Sequence, residues 1–120
     1  LKQFKDAPRP SQHLFAAHWC QSEVLNGGFV QFFANSTGVL APEAIEGFKA
    51  IGMPKTAQLV TEAVTTLGPT YPRSRSTRNR GLRAFEAVLD KLDDQFFALI
   101  DSESGGFEVA ADRYAVACDS

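Results

Sequence analysis

The chain has 120 residues, 44% of them hydrophobic, with 12 basic and 14 acidic side chains and a net charge of −2. That length fits one domain able to bury roughly two-thirds of the surface its unfolded chain exposes. It excludes a miniprotein that needs a metal or disulfides to fold, and no apolar run approaches the ~20 residues that cross a bilayer.

The ten phenylalanines are many for this length and imply an aromatic core. The chain starts at Leu1 rather than methionine, as expected of a sequence that has lost an N-terminal piece, so the lack of a leader carries no weight. Cys20 and Cys118 form no CxxC and no zinc spacing. Each lies in an apolar helical pattern and reads as a buried free thiol, with a bridge between them left open. The expected setting is reducing and cytoplasmic.

Residues 1–10 are polar, carry two prolines and read as an extended lead-in. Ser11 can cap a helix that runs to about Leu25, with Leu14, Phe15, His18, Trp19 and Leu25 on or near one face. Asn26-Gly27-Gly28 breaks it. Phe29, Phe32 and Phe33 then repeat at helical spacing and predict a short helix ending near Asn35 to Gly38. Pro42 suits the first turn of a third helix carrying Ile45, Phe48 and Ile51, closed by Gly52. Pro54 starts a fourth, with Ala57, Val60, Ala63, Val64 and Leu67, stopped by Gly68-Pro69. Residues 69–81 lack apolar periodicity and read as an exposed, arginine-rich loop. Leu82, Phe85, Leu89, Leu92, Phe96 and Leu99 alternate three and four apart and form one helical stripe. Ser104-Gly105-Gly106 ends that helix, and a last one carries Phe107, Ala110, Ala111, Tyr114 and Ala117. No segment alternates with period two. The expected fold is therefore all-α, a single compact orthogonal bundle of about six helices over residues 1–120.

The stretch from Glu23 to Gly38 reads E-x-x-N-G-G-F-x-Q-F-F-x-N-S-x-G. It resembles the signature of a bacterial domain family of unknown function whose best-known member is a DNA-mimic protein. Glu43 to Gly52 and Thr56 to Ala63 are similar to that family too, and the resemblance extends over roughly residues 10–118. It implies an all-helical fold. In the mimic member an acidic surface imitates DNA phosphates and occupies a DNA-binding protein. That property depends on surface carboxylates rather than on the shared motif, and fold alone does not carry function.

Within the motif, Gln31 and Asn35 are four apart and share a helix face, while Glu23, Asn26, Gly27 and Gly28 flank the preceding corner. Polar side chains among phenylalanines need hydrogen bonds if buried. The preferred reading is a structural tie of the corner; the other is a hydrolytic site with Glu23 as base, for which no nucleophile or oxyanion donor is in view. His13, His18 and Cys20 do not share one helix face, so no metal is expected, and no cofactor motif is present.

Charge is unevenly spread. Arg73, Arg75, Arg78, Arg80 and Arg83 are five of the 12 basic residues, with no acid among them. They read as a solvated loop or, alternatively, as an anion site for nucleic acid or phosphate. Residues 86–120 hold nine acids against Lys91 and Arg113. Asp90, Asp93, Asp94 and Asp101 fall off the apolar stripe and are expected to face water. A DNA mimic calls for a far larger negative charge than −2, and the sequence departs from that member in this respect. The expected function is a non-catalytic protein-interaction module that uses this acidic face, with a DNA-binding protein as a partner consistent with the resemblance. Nucleic-acid or phosphate binding through the arginine segment, and an enzyme centred on Glu23 and Gln31, are the alternatives. An exposed remnant of the phenylalanine-rich surface would support a homodimer.

Overall fold

The structure, a computed structural model, describes residues 2–119, with the side chain of Lys2 excepted. Proline placement sets several helix starts, because a proline in the first turn removes an N–H that has no acceptor there. Pro10 lies in the first turn of α2 (Arg9–Ala34), Pro42 in that of α3 (Ala41–Ala50), and Pro54 opens α4 (Pro54–Thr65). A short α1 (Lys2–Asp6) precedes them, and α5 (Arg75–Leu82), α6 (Glu86–Ser102) and α7 (Phe107–Asp119) follow. Among the described residues, six helices of eight residues or more pack as one bundle without a strand. This is the all-α class expected from the apolar spacing.

The aromatic core forms where the motif helix meets α3 and α6. Phe29, Phe32, Phe33, Phe48 and Phe96 are fully buried. Phe96 stands edge-on to Phe29, with ring centroids 5.4 Å apart, and to Phe48 at 6.2 Å. Burying each such ring contributes about 1.5–3 kcal/mol before entropy is counted.

α2 is one helix interrupted by a kink. Gly27 (φ −152°, ψ 19°) and Gly28 (φ 78°, ψ 178°) leave helical geometry, so residues 9–26 and 29–34 form two limbs. The predicted break lies at these glycines.

Four expectations change. Ser11, expected to cap the long helix, lies inside α2, which begins at Arg9. Residues 2–10 are helical rather than extended, apart from a break at 7–8; Leu1, the first residue of that lead-in, lies outside the described residues. The reason is a tether: Gln12 Nε2 donates to the carbonyls of Phe4, Lys5 and Ala7, and Phe4 packs on Phe15. Residues 75–81 of the expected loop fall within α5, started by Ser74, whose Oγ accepts from the Thr77 N–H. Its buried positions are Arg78 and Leu82, four apart, so its inner face carries a cation and shows no apolar period. The long stripe is also divided: Leu82 ends α5, and a 3-10 turn (Arg83–Phe85) separates it from α6. No helix of the described residues is long and apolar enough to cross a membrane.

Candidate functional site

The kink in α2 exposes helix ends that need partners, since an interrupted helix has loose N–H and C=O groups on either side. Gly28 has no side chain to cap the second limb. The cap comes from α6 instead: Asp93 Oδ1 accepts from the Phe29 N–H at 2.8 Å. Glu23, at the end of the first limb, takes both amides of the motif. Gln31 Nε2 donates to its Oε2 at 2.9 Å and Asn35 Nδ2 donates to the same oxygen at 2.7 Å. Asn26 Nδ2 completes the set by donating to Gln31 Oε1 at 3.3 Å. These four side chains bridge the two limbs. An open hollow of about 420 Å³ lies beside them, lined by Gln21, Ser22, Glu23, Leu25, Asn26 and Gln31.

α4 is capped in the same long-range manner. Met53 stands at its N-cap and offers no acceptor. Glu103 reaches across and accepts from Lys55 N (2.7 Å), Thr56 N (2.8 Å) and Thr56 Oγ1 (2.7 Å). Sequence reasoning missed Glu103. Its one signal is negative: a helix opening Met-Pro must find its acceptor elsewhere.

The arginines close the other end of the motif helix. Arg78 is buried and donates to four carbonyls: Phe33 (2.7 Å), Asn35 (2.9 Å), Arg73 (2.9 Å) and Pro72 (3.2 Å). Arg75 Nε donates to Ala34 O at 2.6 Å. Both guanidinium groups therefore sit at the negative end of α2, where cations are favoured. Burial lowers the Arg78 pKa, Tyr71 pulls the other way, and Arg75 and Arg73 lower it further. Arg73 instead makes a two-pronged pair with Glu43, at 2.7 and 3.0 Å, and also donates to Val39 O. Arg80 donates to Thr77 Oγ1, and Arg83 makes no hydrogen bond or ion pair among the described residues.

Of the four aspartates expected on an acidic face, Asp90, Asp94 and Asp101 are exposed. They make no hydrogen bond or ion pair among the described residues. Asp93 is half-buried against the kink, which corrects its expected orientation to water. The cause is steric: Gly28 is the position at which a Cβ would strike its carboxylate, so the glycine makes room for the cap. Burial is the main influence on Asp93 and raises its pKa; the Phe29 N–H lowers it, while Asp90 and Asp94 add to the rise.

A carboxyl held above its unfolded value keeps its proton at pH values where the unfolded chain has lost it. Stability should then fall as pH rises from about 3.9, the ordinary aspartate value, through the folded value. Asp93→Asn removes this dependence while keeping an oxygen for the Phe29 N–H. We expect it to stay within about 1 kcal/mol of the parent at neutral pH, whereas Asp93→Ala loses about 1–2 kcal/mol. Urea unfolding across that pH range checks both; an Asn variant with an unaltered pH slope would show that another group sets it.

The histidines and cysteines do not converge. His13 Nδ1 lies 2.8 Å from the Tyr114 hydroxyl. Burial, then Arg9, hold this imidazole below its ordinary value, against an upward pull from Glu46. His18 is exposed and stands edge-on to Trp19. Cys20 is buried, and burial pushes its thiol up; Cys118 is exposed and both are free. The exposure of Cys118 corrects its expected burial, because α7 fully buries only Ala110 and its last turn lies at the surface. No group of three or more His, Cys, Asp or Glu among the described residues could hold a metal ion.

Neither a curated protein nor a solved structure matches the chain significantly. A family model described as DMP19-like protein matches residues 5–117, which takes in the motif helix, the arginine helix and the acidic α6 together. The chain belongs to the DMP19-like protein family.

Proposed function

We propose that this protein is a non-catalytic interaction module that presents one side of α6 to a cationic surface of a protein partner, of the kind a DNA-binding protein carries. The observation that supports it is a sorting of charges. Glu86, Asp90, Asp94 and Asp101 recur at helical spacing with Phe97 on one exposed stripe, and none of these acids has a partner among the described residues. Of the cations nearby, Arg75 and Arg78 are turned to carbonyls and Arg73 to Glu43, while Lys91 on α6 itself and Arg83 just before it are exposed and bond none of these acids. With four acids against Lys91 on the same helix, the stripe keeps a net negative field, although the whole chain carries only −2. Such a field steers association and selects a positive partner. Membership of a family linked to DNA mimicry agrees with that choice of partner. The same sorting weakens the nucleic-acid reading, since it leaves Arg80 and Arg83 as the outward cations of α5 and its following turn. Glu23 is read as a tie rather than a base, because one of its oxygens already takes two amides.

Capture of partners from a host lysate treated with nuclease tests the proposal. Asp90→Lys with Asp94→Lys should reduce capture of the retained protein at least about a hundredfold. Glu62→Lys, on α4, should leave it intact. Capture that survives the double reversal, or that disappears on nuclease treatment of the parent, overturns it.

A further inference from the structure

We propose that the cleft at the Asp101 end of the acidic stripe receives an arginine side chain of the protein partner, with its guanidinium between Asp101 and Glu108 and its aliphatic stem on Leu25 and Val109. The inference rests on the acidic-stripe reading and names how the partner anchors to it. The cleft, about 400 Å³, opens between α2, the last turn of α6 and the first turn of α7, with Ile100 and Phe107 among its lining residues. Leu25 and Val109 line it too and are 49% and 48% exposed, two of the exposed large apolar residues. Asp101 and Glu108 line it as well, and neither has a hydrogen bond or ion pair among the described residues.

The backbone adds a second preference for a cation. Helix C-termini carry partial negative charge, and basic residues usually stand there. The last turn of α6 contains no basic residue and instead holds Asp101. The aspartate and the helix end thus add to one negative potential, which the positive end of α7 at the same cleft offsets only in part. Glu108 is comfortable in the first turn of α7, so it contributes its charge without local strain. Apolar walls with two carboxylates suit a side chain that is apolar along its stem and cationic at its tip. Arginine fits better than lysine: its weakly hydrated, planar head can donate to two carboxylates at once.

The probe is N-acetyl-arginine-N-methylamide, titrated into 15N-labelled full chain and followed by amide chemical shifts. Saturable shifts confined to residues 21–25 and 100–109 are expected. Asp101→Asn with Glu108→Gln should weaken this binding at least about tenfold. N-acetyl-norleucine-N-methylamide, which has the stem without the charge, should leave the spectrum unchanged. Shifts that spread along α6 to residues 90 and 94 without saturating, or that ignore the Asn/Gln variant, overturn the proposal. The Asp90→Lys/Asp94→Lys protein separates the two readings. If it binds the arginine compound but still captures the partner, the stripe reading fails. If the parent captures through the stripe yet does not bind the arginine compound, only the cleft inference fails.

Discussion

Replacing Arg78 by alanine should cost about 3–5 kcal/mol, enough to unfold much of a domain whose total stability is typically 5–15 kcal/mol. Only 1% of this residue is exposed, and its five-donor fork is spread over four carbonyls. Two of them, on Phe33 and Asn35, belong to the end of the motif helix; the others hold the segment that leads into α5. Alanine removes the donors of one buried carbonyl, on Phe33, and of three partly buried ones, and each buried group left unpaired costs about 1–3 kcal/mol. Methionine keeps most of the volume and none of the donors, so Arg78→Met should be nearly as damaging. Lysine keeps the charge with three donors on one atom, cannot span both segments, and should recover only part of the loss. Arg73→Ala is the contrast: its pair with Glu43 is 51% and 35% exposed and should matter by no more than about 1 kcal/mol. Urea midpoints for the four variants give the order directly. An Arg78→Met protein with a near-parental midpoint would mean that the carbonyls find other donors and that the charge is dispensable.

The same residue explains where the sequence was readable and where it was not. Helices that bury an apolar face announce themselves: Phe29, Phe32 and Phe33, or Leu89, Leu92 and Phe96, are spaced as a core requires. α5 buries Arg78 with Leu82, and a buried arginine inside a run of Ser, Thr and Arg looks like a solvated loop. Periodicity scores apolar residues, and this helix docks through hydrogen bonds. The break at Asn26-Gly27-Gly28 was legible because glycine acts locally. Its cap was not, because Asp93 lies 64 residues away, and Glu103 lies 47 residues from Thr56. Both acids sit in a helix or turn whose outward positions are acidic as well. From sequence, Asp93 and Asp94 are equivalent; one turns to the kink and the other to water because a helix places neighbours about 100° apart. The polar motif itself was legible as a set. What the structure adds is direction, with Gln31 and Asn35 both donating to Glu23 across the kink.

Gly28 concentrates those long-range dependences at one position, and Gly28→Ala should cost about 2–4 kcal/mol. Its φ of 78° with ψ of 178° belongs to a region that side chains essentially never enter, which alone costs about 1–3 kcal/mol. The added Cβ would also collide with Asp93 Oδ2. Moving that carboxylate uncaps the Phe29 N–H, for a further ~0.5–2 kcal/mol. Two other glycines calibrate the two contributions. Gly52 also has a positive φ, of 85°, but a Cβ there meets nothing within 4 Å, so Gly52→Ala reports backbone strain without a collision. Gly27 has an ordinary extended φ, and its Cβ would meet the Gln31 side chain. Gly27→Ala therefore reports the loss of the Gln31 bonds to Glu23 and Asn26, about 1 kcal/mol, together with the shift needed to clear the Gln31 Cβ, 2.8 Å away. Gly28 should destabilise well beyond Gly52, which shares its positive φ and lacks the collision. Adding Asp93→Ala to Gly28→Ala removes the collision and leaves the strain, so the two substitutions should cost less together than the sum of their separate effects. Strict additivity in urea unfolding would mean that Asp93 does not press on the kink, and that the second limb of α2 takes its direction from phenylalanine packing alone.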